Sequence, residues 1–188
     1  MRAAIGVVLI LLTVTSGAAA QSAEDKGRER PSRWSIGAGG GVALPDVASD
    51  VSVSGGFAPV ERIDLIVGAE RVHLPFRRKV RDDGVSVTRG GTLTFVSAEV
   101  RGWLRPRDRV SPFLAAGAGT GISRPTVNAH FPDEVRNDLR VVYLGGGVRV
   151  PFGRSLEVWG DARAMLALEG YDSVFGMWPI RAGVTWRF

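Results

Sequence analysis

The chain has 188 residues, 45% of them hydrophobic and 23% charged, with 25 glycines, no cysteine and a formal net charge of +5. This composition excludes a disordered polar chain, a disulfide-held fold and a cysteine-ligated metal centre. The basic excess is scattered along the chain as arginine, without the stripe or recognition motif of a nucleic-acid binder, so no nucleic-acid partner is expected.

The amino terminus reads as a targeting segment. Arg2 supplies a positive start, Ala3 to Leu12 form an apolar run too short to span a bilayer, and Ala18 to Ala20 make a small-residue cleavage site. Residues 1–20 are therefore expected to be a signal peptide. The next stretch, QSAEDKGRERPS over residues 21–32, is charged and lacks apolar periodicity, which suits a solvated tether. Residues 33–188 contain no linker and no sustained helical period, and are expected to form one domain.

Alternation with a period of two marks eight strands in that domain. They are Trp34 to Leu44, Val51 to Pro59, Ile63 to His73, Thr92 to Leu104, Pro112 to Ile122, Leu139 to Val150, Ser155 to Leu168 and Trp178 to Phe188. Short connections near residues 60–62, 105–111 and 151–154 alternate with long ones at 74–91, 123–138 and 169–177; the first, at 45–50, is the short exception. The layout is that of an all-β, eight-stranded antiparallel up-and-down transmembrane β-barrel.

Polarity of the two strand faces supports this. Trp178, Ile180, Ala182, Val184, Trp186 and Phe188 share one face of the last strand, and Arg181, Gly183, Thr185 and Arg187 the other. The seventh strand sets Leu156, Val158, Ala162, Ala164, Leu166 and Leu168 against Glu157, Trp159, Asp161 and Arg163. In the fourth, Thr94, Val96, Ala98, Val100 and Leu104 oppose Ser97, Glu99 and Arg101, but Leu93 and Phe95 share the charged parity. An apolar outer face in water would be a large exposed patch, so the apolar face is assigned to lipid. A soluble barrel with the charged face outside is the alternative.

Nine charges are thereby expected to form a neutralising lumen network: Glu70, Glu99, Arg101, Arg149, Glu157, Asp161, Arg163, Arg181 and Arg187. Side chains largely fill an eight-stranded barrel, so paired charges and no continuous channel are expected. Glycines at alternate positions, such as Gly37, Gly39 and Gly41 or Gly145 and Gly147, leave room for long arginines. Trp34, Phe57, Phe113, Phe152, Trp186 and Phe188 are expected in an aromatic girdle at the short-turn end, and Phe76, Phe131, Phe175 and Trp178 in one at the long-loop end. Trp103 and Trp159 have inward parity, where they could stack on arginines.

Ile180, Ala182, Val184, Trp186 and Phe188 resemble the carboxy-terminal signature of outer-membrane barrels, with apolar residues at alternate positions and a final aromatic. The chain beyond the tether, including WSIGAGGGVALP and SPFLAAGAGTG, resembles the small OmpA/OmpX-like barrels often labelled porin-family proteins. The resemblance implies an outer-membrane location in a Gram-negative-type bacterium, a periplasmic tether and recognition of the last strand by the barrel-assembly machinery. It implies no defined activity.

Chemistry-bearing motifs are scarce. The histidines are His73 and His130, and the histidine–serine spacing of lipid A deacylases is absent. GAGGG and GAGTG lack the lysine and the strand-to-helix context of phosphate cradles. No catalytic residue, cofactor or metal is expected. Arg77, Arg78, Lys79 and Arg81 cluster in one long loop, where guanidiniums suit lipopolysaccharide phosphates. The sequence thus points to a monomeric barrel in contact with outer-membrane lipid, with a structural or surface-interaction role. A lipid A-modifying enzyme using His73 or His130, and a narrow porin, are the alternatives.

Overall fold

The computed structural model describes residues 33–45, 47–75, 77–81, 84–88, 90–105, 110–127, 133–153, 155–169 and 173–188. The expected signal peptide and tether lie outside the described residues, as do Phe76, His130 and Phe131.

Among the described residues ten strands follow one another: β1 (Trp34–Leu44), β2 (Ala48–Val60), β3 (Ile63–Leu74), β4 (Arg77–Arg81), β5 (Gly84–Thr88), β6 (Gly91–Trp103), β7 (Ser111–Pro125), β8 (Asn137–Phe152), β9 (Leu156–Glu169) and β10 (Ser173–Arg187). Eight of them close into a single antiparallel barrel, and β4 and β5 form a separate hairpin between β3 and β6. Closure runs between β1 and β10, from Ser35↔Arg187 to Leu44↔Trp178. A hydrogen bond from the Phe188 amide to the Trp34 carbonyl (3.1 Å) extends that seam past the last strand.

The eight expected strands are present, and three features differ. β2 begins at Ala48, which brings Asp50 into the barrel. β7, β8 and β10 run further toward the long loops than the alternation indicated. The loop between β3 and β6 contains the β4–β5 hairpin, paired from Arg77↔Thr88 to Arg81↔Gly84.

Because successive side chains alternate across a strand, each barrel strand contributes one parity to the lumen. The inward residues fall into layers. At the long-loop end Ala43, Ala48, Val72, Leu93, Phe95, Leu139, Val141, Met165, Ala167 and Met177 pack into one apolar cluster. This explains why Leu93 and Phe95 share parity with charges. Below it lies the charged network, and toward the short turns Trp103, Phe113 and Ala115 form a second apolar cluster. Outside, aliphatic side chains stand exposed around the wall, including Val53 (61%), Leu114 (62%) and Leu144 (65%).

Candidate functional site: the charged lumen

All nine sequence-selected charges are buried inside the barrel, and Asp50 and Asp64, which the sequence reading passed over, join them. Asp64 has the inward parity of Glu70 on β3; Asp50 fell in a stretch read as loop. Strand register determines which charges meet. Gly41 pairs with Arg181 on one side and with Asp50 on the other, so the missing side chain on β1 leaves space between β2 and β10.

Arg181 donates from Nε and Nη2 to the two oxygens of Asp161 (3.0 and 2.8 Å) and from Nη1 to Glu70 Oε2 (2.5 Å). Arg163 bridges Asp161 (3.0 Å) and Glu99 (2.6 Å), and Arg101 donates twice to Glu99 Oε1 (2.9 and 2.7 Å). Nearer the short turns Arg187 bridges Asp64 and Glu157 at 2.8 Å each, Arg149 donates to Glu157 at 2.9 Å, and the Trp103 indole N–H donates to Asp64 at 3.0 Å. Charge-assisted bonds of this kind offset the desolvation of each ion when its partners are in place.

Aromatic rings cap the guanidiniums. Arg149 Cζ lies 4.1 Å from the Trp103 ring centroid, Arg101 4.4 Å from Phe113, and Arg163 4.5 Å from Tyr143. Trp103 and Trp159 face inward, as their parity requires. Phe113 and Phe175 do not belong to the girdles to which the sequence reading assigned them. Phe113 is buried beneath Arg101 and Trp103, and Phe175 packs against the apolar cluster at the long-loop end. Both lie near strand ends, but parity turns them inward. Among the described aromatics Trp34, Phe152, Trp186 and Phe188 stand exposed at the short-turn end, with Phe57 against Trp34 (centroids 4.8 Å apart), and Trp178 is exposed at the other end.

The glycines serve rings as well as arginines. A Cβ on Gly145 would come within 2.8 Å of Arg163, whereas one on Gly147 would meet the Phe113 ring at 2.7 Å and one on Gly39 the Trp159 ring at 2.7 Å. Among the described residues the lumen holds two small cavities. One of about 30 Å³ lies among Ser52, Glu70, Ser97, Glu99 and Tyr143; another of about 20 Å³ lies among Asp64, Trp103, Arg149, Glu157 and Arg187. Each is large enough for a water molecule.

His73 faces outward near the long-loop end, opposite Ser49 on β2 and Thr92 on β6, with its Nδ1 3.5 Å from Thr92 Oγ1. Among the described residues no group of three or more metal-ligating side chains is assembled. Arg71, Arg124 and Arg140 are exposed on the outer wall toward the same end. Arg77, Arg78, Lys79 and Arg81 all fall on β4, and their side chains lie outside the described residues. Ile180, Ala182, Val184, Trp186 and Phe188 are exposed on the outer face of the closing seam.

No protein-family model matches the chain, and no curated protein matches it. Solved structures do. The amino-terminal β-barrel domain of OprF from Pseudomonas aeruginosa superposes with a TM-score of 0.63 at 15% identity, covering 84% of this chain and 98% of that one. The fold is that of the eight-stranded outer-membrane barrels. Neisserial surface protein A gives a TM-score of 0.61 at 13% identity, covering 82% and 96% of the two chains. Ail, the attachment invasion locus protein of Yersinia pestis, in complex with the heparin analogue sucrose octasulfate, gives 0.50 at 16% identity, covering 84% and 97%. At these identities the likeness concerns architecture.

Proposed function

We propose that the protein is an integral outer-membrane β-barrel with a structural or surface-interaction role, non-catalytic, its lumen closed to solutes. The observation that carries this reading is the division of polarity across one closed sheet: ion-paired charges inside, and outside a mostly aliphatic wall with Arg71, Arg124 and Arg140 toward one end. In water that wall would be an apolar patch far larger than monomeric soluble proteins expose. In a bilayer it is the expected surface, and closure leaves no strand edge with unpaired backbone groups. The lining supports a closed lumen, because arginines, rings and an apolar layer occupy it and the cavities among the described residues are only of about 20 and 30 Å³.

In this reading the chain is exported on its amino-terminal apolar segment and cleaved, the tether and short turns face the periplasm, and the long loops face outward. The barrel-assembly machinery reads the outer face from Ile180 to Phe188 during insertion, and the inserted barrel is a monomer. Arg71, Arg124 and Arg140, with the β4 cluster Arg77, Arg78, Lys79 and Arg81, meet the phosphates of lipopolysaccharide. Planar guanidiniums suit such anions.

Fractionation with electrophoresis of boiled and unboiled samples tests the location. The expected result is an outer-membrane band whose mobility changes on boiling; a soluble pool of unchanged mobility would overturn it. In the same preparation, replacing the seven basic residues with glutamine lowers lipopolysaccharide binding by the folded barrel, and unchanged binding removes that partner.

A further inference from the structure

Among the described residues the lumen buries six carboxyl groups, at Asp50, Asp64, Glu70, Glu99, Glu157 and Asp161, but five guanidiniums, at Arg101, Arg149, Arg163, Arg181 and Arg187. The imbalance has a location. Asp50 on β2 is 2% exposed and Glu70 on β3 is 5% exposed. Asp50 stands opposite Val72 and Ser52 opposite Glu70, so the two carboxyls lie diagonally across neighbouring strands on the inner face, a spacing that side chains bridge. Both turn into the space that Gly41 leaves beside Arg181.

The charged groups facing this pair are Arg181 from β10, Asp161 and Arg163 from β9, and Glu99 from β6 through its bond to Arg163; β1 contributes only Gly41. Both cations have other partners. Arg181 is bonded to both oxygens of Asp161 and to one oxygen of Glu70, and Arg163 is bonded to Asp161 and Glu99. Both oxygens of Asp50 and Oε1 of Glu70 are left buried, with no donor among the described residues. An ionised carboxyl accepts hydrogen bonds and donates none. Two ionised groups here would oppose each other with three acceptors and no donor, in surroundings where an uncompensated charge is costly. One proton removes the conflict: the protonated carboxyl donates to its neighbour, and the lumen charge becomes even.

We infer that Asp50 and Glu70 share one proton in the folded barrel at neutral pH and so form a proton-binding site inside the lumen. The unfolded chain releases both protons at the ordinary carboxylate pKa of about 4. Folding above that pH therefore takes up a proton, and the pair favours the unfolded state more as pH rises, until the folded pair itself ionises.

The test uses the full mature chain folded in detergent micelles, with the boiling-dependent mobility shift verifying in each sample that a barrel has formed. That control separates failure of this inference from failure of the membrane reading. Infrared spectra at neutral pH should show the carbonyl stretch of a protonated carboxyl in the wild type and lose it in Asp50→Asn, whose amide supplies the donor without a proton. Glu70→Gln should lose it too. The wild-type unfolding constant in urea should rise by up to about tenfold per pH unit from this site between the two titrations, and that contribution should vanish in Asp50→Asn. Absence of the band in the wild type, its persistence in both variants, or a pH profile identical in wild type and Asp50→Asn would overturn the proposal. Stabilisation of the wild type, but not of Asp50→Asn, by sodium or calcium chloride at constant ionic strength would replace the proton with a metal cation.

Discussion

Arg181 on β10 donates to Asp161 on the adjacent strand and, on its other side, to Glu70 on β3, two strands beyond β1. One side chain thus ties together parts of the wall that no single backbone ladder connects. Its removal leaves two buried carboxylates short of donors, and breaking a buried ion pair in this way costs about 3–5 kcal/mol. Arg181→Met is therefore expected to lower the unfolding free energy by about that amount, measured by urea titration in micelles. Combining it with Glu70→Gln and Asp161→Asn should recover part of the loss, because the two carboxylates that Arg181 bonded are then neutral. A cost near that of exposed ion pairs, about 0–1 kcal/mol, would mean that water solvates this part of the lumen.

Strands β1, β9 and β10 are fitted to one indole. Gly39 pairs with Gly183, Gly183 pairs with Trp159, and the Trp159 ring lies over both glycines, with Arg101 and Arg181 each 5.6 Å from its centroid. A Cβ on Gly183 would stand 2.5 Å from that ring and 2.4 Å from the Ala38 carbonyl oxygen, so ring and backbone would both have to move. Gly183→Ala should destabilise the barrel by about 1–3 kcal/mol, as overpacking typically does. Part of that loss should return when Trp159→Leu is added, seen as non-additivity in a double-mutant cycle; strict additivity would place the whole effect in the backbone contact. Such a ring notch is not legible in the sequence. Alternation shows that Trp159 and Gly183 point inward, because side-chain period is a local property, but which inward residues meet depends on register between strands. The Arg187–Asp64 contact spans 123 positions and the Arg181–Glu70 contact 111. Period two located the strands and both faces for the same local reason. It failed at Asp50, where a strand continues into a stretch read as loop, and at Phe113 and Phe175, where proximity to a strand end was taken as a girdle position although parity turns both inward.

On the proposed reading, layers of different chemistry close the barrel. An apolar layer with Phe95, Leu139, Met165 and Met177 lies toward the long loops, ion pairs occupy the middle, and Trp103 and Phe113 stack on Arg149 and Arg101 toward the short turns. Eight strands enclose an interior just wide enough for side chains to fill, and on that reading each layer is a barrier on its own. The ion pairs hinder passage because a solute ion must separate charges already paired; the apolar layer hinders it because an ion gains nothing there in exchange for its hydration. In planar bilayers the wild-type protein is expected to give at most small, irregular currents. Arg181→Met should leave them small, since the apolar layer remains, and Phe95→Ala with Met165→Ala should do the same, since the ion pairs remain. Steady conductance is expected only when Trp103→Ala and Phe113→Ala open the third layer together with these two. Large, stable single-channel steps from the wild type would overturn the closed lumen and favour a narrow porin. Steady conductance from Arg181→Met alone would mean that the ion pairs are the only effective barrier and that the apolar layer at the long-loop end opens to water.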